Sequence, residues 1–253
     1  MIGISTYCQS TPWNDRLVSL LSAVLLNPIR PDFTRAIDED KPSVLPVHRQ
    51  SQDVVGVVIL LPPLGESKSR TWTACKRLRR RIQKFAIRYS LHVTFVDSDH
   101  QASQENFVQT LNDIAKVTDR YFLVSLDGNP TSFTNISGNQ GDQGLRLLGC
   151  VLLQPIVGDN HAFDMVINNY SHVPMLLLSP VSNEQFIKSA SNTNPLLLLA
   201  FLSDDHALGH WVDDETIGVW LGRTIAKFIE AITLMTANEE KNKLLSHHQR
   251  SKL

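Results

Sequence analysis

Four polar loops carry the side chains of this sequence that could do chemistry. Each loop follows a short apolar segment, and the loops are LPPLGES at 61–67, SLDGNP at 125–130, SPVSNEQ at 179–185 and SDDHALGHWVDDE at 203–215. In open parallel sheets, ligands bind where such loops leave the carboxyl ends of the strands. The loops offer carboxylates, chiefly Asp127 and Glu184, and an imidazole at His206 or His210. Carboxylates can act as nucleophiles and imidazoles as general bases, so we expect the functional site at this edge.

The elements that must position these loops are buried strands that alternate with amphipathic helices. The segment VVGVVILL at 54–61 is too short for a helix and is closed by Pro62 and Pro63, which is typical of a strand buried on both faces. The same reasoning predicts further strands at 91–97, 121–126, 145–153, 174–178 and 195–202, and helices at 67–89, 105–117, 163–169 and 216–237. This alternation predicts a single α/β domain with a mostly parallel central sheet and helices on both faces.

The two ends of the chain differ from this domain. Residues 1–43 are rich in proline and predict an irregular segment with one short helix near 14–26, followed by a short strand at 43–49. Residues 44–237 form the predicted α/β domain, and residues 238–253 are a polar tail that we expect to fray. The apolar run in the first helix has about ten residues, well short of the roughly 20 that span a membrane. Its flanks favour a packed helix over an export signal, which is the alternative.

Charge and composition exclude several classes of protein. The 253 residues carry 24 Lys and Arg against 25 Asp and Glu, so a net charge of −1 gives no general attraction to nucleic acid. The three cysteines form no CxxC pair, and the histidines show no spacing typical of metal ligands, so we expect no metal and no cofactor. A reducing, cytoplasmic location is consistent with these cysteines. The helix at 67–89 is strongly basic; a solvated outer face is favoured over a phosphate-binding surface.

The chain resembles the α/β-hydrolase superfamily over roughly residues 44–235. The loop that in this family usually opens with His-Gly here reads Leu-Pro-Pro-Leu-Gly at 61–65, and Leu-Gly-His-Trp at 208–211 is similar to the segment that delivers the catalytic histidine. The order and spacing of the predicted strands agree with this resemblance. The similarity is greatest to divergent hydrolase-fold families of unknown function in which the nucleophile elbow is not preserved.

The elbow itself departs from the pattern of the superfamily. No G-x-S-x-G occurs, and Ser-Leu-Asp-Gly-Asn at 125–129 places Asp127 where a serine is expected. Haloalkane dehalogenases and epoxide hydrolases of this superfamily use an aspartate at this place, so the resemblance implies Asp127 as nucleophile and His210 as the base that activates water. The alternative is an ordinary turn, because Gly-Asn-Pro follows Asp127 and residues 131–144 are poor in helix formers.

The remaining members of the site have alternatives of their own. The resemblance implies Glu184 as the acid that orients His210, whereas Asn183 in the same loop would indicate that the acid has been lost. Gly209 supplies a tight turn before His210, which favours it over His206; the alternative for His210 is a histidine that packs beside Trp211. The backbone amides of Leu64, Gly65 and Gly128 could form an oxyanion hole, since Pro62 and Pro63 have no amide proton.

Two functions follow from these residues. The first is a divergent hydrolase-fold protein with a degenerate or absent catalytic triad, which binds a small-molecule ligand or a protein partner. The alternative is an active hydrolase that uses Asp127 against a small ester, epoxide or haloalkane-like substrate. A dinucleotide-binding protein is disfavoured, because the loop at 62–66 lacks the glycines that allow close approach of a pyrophosphate.

Overall fold

A computed structural model of the chain describes twelve stretches of residues. They are 4–25, 56–61, 76–83, 91–95, 111–116, 118–126, 144–153, 167–180, 182, 194–202, 211–212 and 214–250. The strands are β1 (Ile4–Cys8), β2 (Gly56–Leu61), β3 (Leu91–Phe95), β4 (Arg120–Ser125), β5 (Arg146–Leu153), β6 (Met175–Pro180) and β7 (Leu197–Leu202). The helices are α1 (Pro12–Leu25), α2 (76–83), α3 (111–115), α4 (167–169) and α5 (Glu215–Arg250).

The strands form one sheet in the order β1-β7-β6-β5-β4-β2-β3. β2 to β7 are all parallel, and β1 is antiparallel to β7. The predicted mostly parallel α/β sheet is therefore confirmed. The six predicted strands from 54–61 onward are confirmed, with ends that differ by a few residues, whereas the strand predicted at 43–49 lies outside the described residues.

The N-terminal segment contains a strand that the sequence did not predict. β1 has the sequence Ile-Ser-Thr-Tyr-Cys, which contains no continuous apolar run, and lies at the edge of the sheet, where it pairs with β7 alone among the described strands. The predicted helix is confirmed as α1, which begins at Pro12 after Thr11, whose hydroxyl accepts a hydrogen bond from the backbone N–H of Asn14 at 3.1 Å. The buried Asn14 side chain donates to the carbonyl oxygen of Pro195 at 2.7 Å, which ties α1 to the chain that enters β7.

Buried hydrophobic residues form two clusters that share the strands between them. Successive strand residues point to opposite faces, so Val58 and Leu60 belong to the first cluster, and Val57 and Ile59 to the second. The first cluster also includes residues of α1, α2 and α5, among them Leu17, Leu78, Ile82, Trp220 and Phe228. The second includes residues of α3 and α4 and the turn that follows α4, among them Leu111, Ile114, Ile167 and Tyr170.

α5 is longer than the sequence predicted. It continues through the segment expected to be a frayed tail and ends at Arg250, because residues 238–250 are rich in the helix formers Glu, Lys, Leu and Gln. Although α5 has 36 residues, no helix in the described part of the chain is both long and apolar enough to cross a membrane.

An ion-pair network joins α5 to the first residues of two strands. Arg120 begins β4 and Arg146 begins β5, and their guanidinium groups lie 2.9 Å and 3.1 Å from the carboxylate of Glu240. Burial alone would raise the pKa of Glu240, but the charge of Arg120 and the hydrogen bonds from both arginines outweigh burial and hold this pKa below its ordinary value. Glu240 therefore offsets the repulsion between two cations that are paired across neighbouring strands.

We predict that Glu240→Gln lowers the free energy of unfolding by up to about 1 kcal/mol at neutral pH and low salt. Because the pKa of Glu240 is lowered on folding, its contribution is complete above the ordinary glutamate pKa and is lost as the pH falls through the folded value. Urea unfolding at several pH values and salt concentrations measures this. The neighbouring exposed Glu239→Gln is the control, and an equal effect of both substitutions would contradict the role of the network.

Two threonines of α5 give a second prediction. Thr224 is fully buried and its hydroxyl has no hydrogen-bond partner among the residues that the structure describes, whereas the hydroxyl of Thr233 donates to the carbonyl oxygen of Ile229 at 2.8 Å. We expect Thr224→Val to raise the free energy of unfolding by up to about 1 kcal/mol, and Thr233→Val to lower it by a similar amount. Chemical denaturation of both variants measures the difference, and a loss at Thr224 as large as that at Thr233 would refute the assignment.

Candidate functional site

The direction in which the chain adds strands reverses next to β2. The chain passes from β2 outward to β3, then crosses back over β2 to β4 and continues in that direction to β7. Right-handed crossovers in opposite directions place their helices on opposite faces of a sheet. In agreement with this rule, Leu78 of α2 belongs to the first cluster and Leu111 of α3 to the second. The rule for open α/β sheets predicts a crevice at the carboxyl ends of the two strands beside such a reversal, here β2 and β4.

A backbone hydrogen bond joins the chain at the two sides of this crevice. Leu61 of β2 is paired with Ser125 of β4, and the N–H of Leu126 donates to the carbonyl oxygen of Leu61 at 3.0 Å. All three residues are buried. The two strands therefore remain paired up to the last described residue of each segment.

This pairing fixes where two of the predicted loops begin. Asp127 follows Leu126, Pro62 follows Leu61, and consecutive Cα atoms are about 3.8 Å apart. The predicted nucleophile and the loop predicted to supply oxyanion donors are thus attached at neighbouring points of the sheet. Asp127, Gly128, Leu64 and Gly65 themselves lie outside the described residues.

β6 brings the third predicted loop to the same edge. Its carboxyl end includes the buried Ser179 and reaches Pro180. One strand, β5, separates β6 from β4, so the two strands lie about 10 Å apart. Ser182 is described and exposed, whereas Glu184 and Asn183 lie outside the described residues.

The segment after His210 is held by the core. Trp211 is fully buried in the first cluster, and Val212 is buried beside it. The carboxylate of Asp214 then caps α5 by accepting a hydrogen bond from the N–H of Ile217 at 2.8 Å. His210 lies outside the described residues, but the residue that follows it is anchored between the sheet and the first turn of α5. The Trp211 indole N–H is buried, and no described residue accepts a hydrogen bond from it.

Arg81 was missed as a residue of this region. The sequence placed it with the basic outer face of its helix, but Arg81 is only 9 % exposed, and its Nη1 donates to the carbonyl oxygen of Val212 at 2.6 Å. The outer-face assignment is therefore wrong for this residue. Helical spacing contains the missed signal, because Arg81 lies three residues after Leu78 and next to Ile82, both of which are buried. Lys76, Arg77 and Arg80 are exposed as predicted.

Two glycines of α5 make room for Arg81. A Cβ atom at Gly222 would lie 2.6 Å from the Cβ of Arg81, and one at Gly218 would collide with its Nη1. Both distances are shorter than real Cβ contacts allow. The i, i+4 pair of glycines therefore forms a groove in α5 in which α2 lies unusually close.

The described cysteines do not provide a nucleophile. Burial raises the pKa of the Cys150 thiol far above its ordinary range. Burial and the charge of Asp15 raise the pKa of Cys8. A thiol attacks only as the thiolate, so both groups are poor nucleophiles at neutral pH. Within the described stretches, no group of three or more His, Cys, Asp or Glu side chains could hold a metal ion.

We predict that Gly222→Ala destabilises the protein by about 1 to 3 kcal/mol, because the new methyl group must displace Arg81. At an ordinary helical position the same change would stabilise by about 1 kcal/mol. Asn238→Ala, at an exposed position of α5, is the control and is expected to be neutral or slightly stabilising. Urea unfolding compares the two variants. A gain in stability at Gly222 would show that α2 and α5 are not in close contact.

Comparison with models of known protein families and with curated proteins finds no match to this chain.

Proposed function

We propose that this chain is a divergent α/β-hydrolase-fold protein that binds a small organic molecule in the crevice between β2 and β4, with a degenerate or absent catalytic triad. The hydrogen bond from Leu126 to Leu61 is the observation that carries the proposal, because it attaches the loop with Asp127 and the loop with Leu64 and Gly65 at neighbouring points. The strand order supports the resemblance to the superfamily, as does the distribution of helix residues between two clusters, which supports helices on both faces.

The residues at the strand ends support a preference for one kind of ligand. Leu61 ends β2 and packs in the second cluster, whereas Leu126, directly after β4, and Leu153, at the end of β5, pack in the first; Ser125 and Ser179 are buried polar residues near the same strand ends. Small-molecule sites are commonly apolar with a few placed polar groups. We therefore favour a largely apolar ligand with one or two polar atoms over a highly charged metabolite. The net charge of −1 and the buried thiol of Cys150 favour a cytoplasmic protein that does not act on nucleic acid.

Hydrolysis by Asp127 is the second candidate function, and the position of this residue favours it. Asp127 directly follows a buried strand at the reversal of the sheet, where the resemblance requires the nucleophile. Its carboxylate oxygen would attack a saturated carbon and form an alkyl ester: the C–halogen bond of a haloalkane breaks and halide leaves, or the C–O bond of an epoxide breaks and its oxygen stays on the intermediate and takes a proton from water. His210 would then remove a proton from the water that attacks the ester carbonyl and return it to the departing alcohol oxygen, which restores the carboxylate. Glu184 would orient the imidazole and stabilise its charged form.

A panel of ester, epoxide and haloalkane compounds tests both candidate functions. Ligand-observed NMR measures binding, and product analysis measures turnover. For any compound that binds, we expect Asp127→Asn and His210→Gln to weaken binding by about tenfold or more, which corresponds to about 1.4 kcal/mol. Asp113→Asn is the control, because Asp113 is an exposed residue of α3 that pairs with Lys116. The binding proposal predicts no product.

The same experiment distinguishes hydrolysis through a covalent ester from binding alone. If Asp127 is a nucleophile, His210→Gln accumulates an ester, and the peptide that contains residue 127 gains the mass of the transferred group. Asp127→Asn then lowers turnover by at least about a thousandfold. Compounds whose binding and turnover are unchanged by both substitutions would place the functional site elsewhere and reject both candidates.

A further inference from the structure

We infer that Arg81 is a positioning residue that fixes the backbone on which His210 is carried; the inference rests on the proposed crevice site. The guanidinium of Arg81 is buried and reaches from α2 to the carbonyl oxygen of Val212, two residues after His210. A hydrogen bond with a charged donor is about twice as strong as a neutral one and is oriented. It restrains the segment that leads into α5 at a point close to the predicted imidazole.

The Arg81 side chain of α2 lies in a space that two glycines of α5 leave open. Gly218 and Gly222 leave a groove that any larger side chain would fill. A Cβ atom added at either glycine would lie too close to an atom of Arg81, at 2.6 Å for Gly222 and closer still for Gly218. Each glycine in a helix costs about 0.5 to 1 kcal/mol relative to alanine. The two glycines therefore lower the helical stability of α5 at the place where it contacts Arg81. This cost indicates that Arg81 has a specific role at this position.

An apolar side chain would pack in the same place at lower cost. Taking a guanidinium out of water is unfavourable, and replacing buried charged groups by well-packed apolar residues is often neutral or stabilising. What an apolar residue cannot do is donate to the Val212 carbonyl. The directed contact with the segment 211–212 is therefore a property that arginine supplies here and an apolar residue would not.

The contact also joins two parts of the chain that are next to predicted site residues in the sequence. α2 follows β2 in the chain, and Leu64 and Gly65, the predicted backbone donors, lie between them in the sequence. Residues 211–212 follow the predicted imidazole. A single side chain therefore joins the helix after β2 to the two described residues that follow His210 in the sequence. Loss of this contact would release the backbone at 211–212 without removing any residue of the predicted site.

The test compares Arg81→Lys with Arg80→Lys, the same substitution at the adjacent exposed position. Lysine keeps the charge but lacks the planar fork of arginine and is more strongly hydrated. Hydrogen exchange of the native chain is followed by mass spectrometry, and the His210 ring resonance by NMR. We expect Arg81→Lys to accelerate exchange in the peptide spanning 208–214 by about tenfold or more and to shift the His210 resonance, while amides of β4 and β5 change by less than about twofold.

Two outcomes would overturn the inference. Unchanged exchange at 208–214 would show that Arg81 does not restrain the segment, and a uniform increase across the sheet would show a general role in stability. Should Arg81→Lys fail to fold, the wild-type chain supplies the test: a held guanidinium gives separate Nη proton resonances at room temperature, and averaged resonances would refute the contact. If Asp127→Asn leaves ligand binding unchanged, the proposed site is rejected. The exchange and NMR measurements on Arg81 are independent of that result.

Discussion

The reversal of strand order beside β2 is the constraint on which the rest of this structure depends. Because the chain first moves outward from β2 to β3 and then returns past β2 to β4, its crossovers run in both directions along one sheet. The crossover rule predicts that the helices they contain pack on different faces, and Leu78 and Leu111 do belong to different clusters. The same rule for open sheets is the reason we propose a ligand site at the carboxyl ends of β2 and β4.

α5, the last element of the chain, packs against several other parts of this arrangement. Its first half contacts Arg81 through Gly218 and Gly222, close to the segment after His210. Its second half carries Glu240, which pairs with arginines at the amino ends of β4 and β5. One helix therefore contacts both α2 and the amino ends of β4 and β5. The buried contact is specific because it joins a charged donor to a backbone carbonyl, whereas the partly exposed ion pairs contribute less because water and salt screen them.

The sequence predicted the parts of the fold that rest on short apolar runs. Strands such as β2, β4 and β6 are buried along their length, so hydrophobicity alone identifies them. β1 was missed because a paired edge strand needs no continuous apolar run, and the end of α5 was missed because its polar residues form helix as readily as coil. Arg81 was misassigned because eight other basic residues in the same predicted helix suggested an outer face. Asp127 and His210 came from the resemblance, while the pairing of Leu126 with Leu61 depends on a register that no sequence pattern gives.

An experimental structure that locates the Asp127 carboxylate and the His210 imidazole tests the central claim most directly. The account predicts that both side chains reach the crevice between β2 and β4, with an oxygen of Asp127 and a ring nitrogen of His210 within about 3.2 Å or bridged by one water. The backbone of the segment 208–212 should be fixed by Arg81 in the same structure. Side chains that point to opposite faces of the sheet, or a crevice filled by the loop at 62–65, would contradict the account.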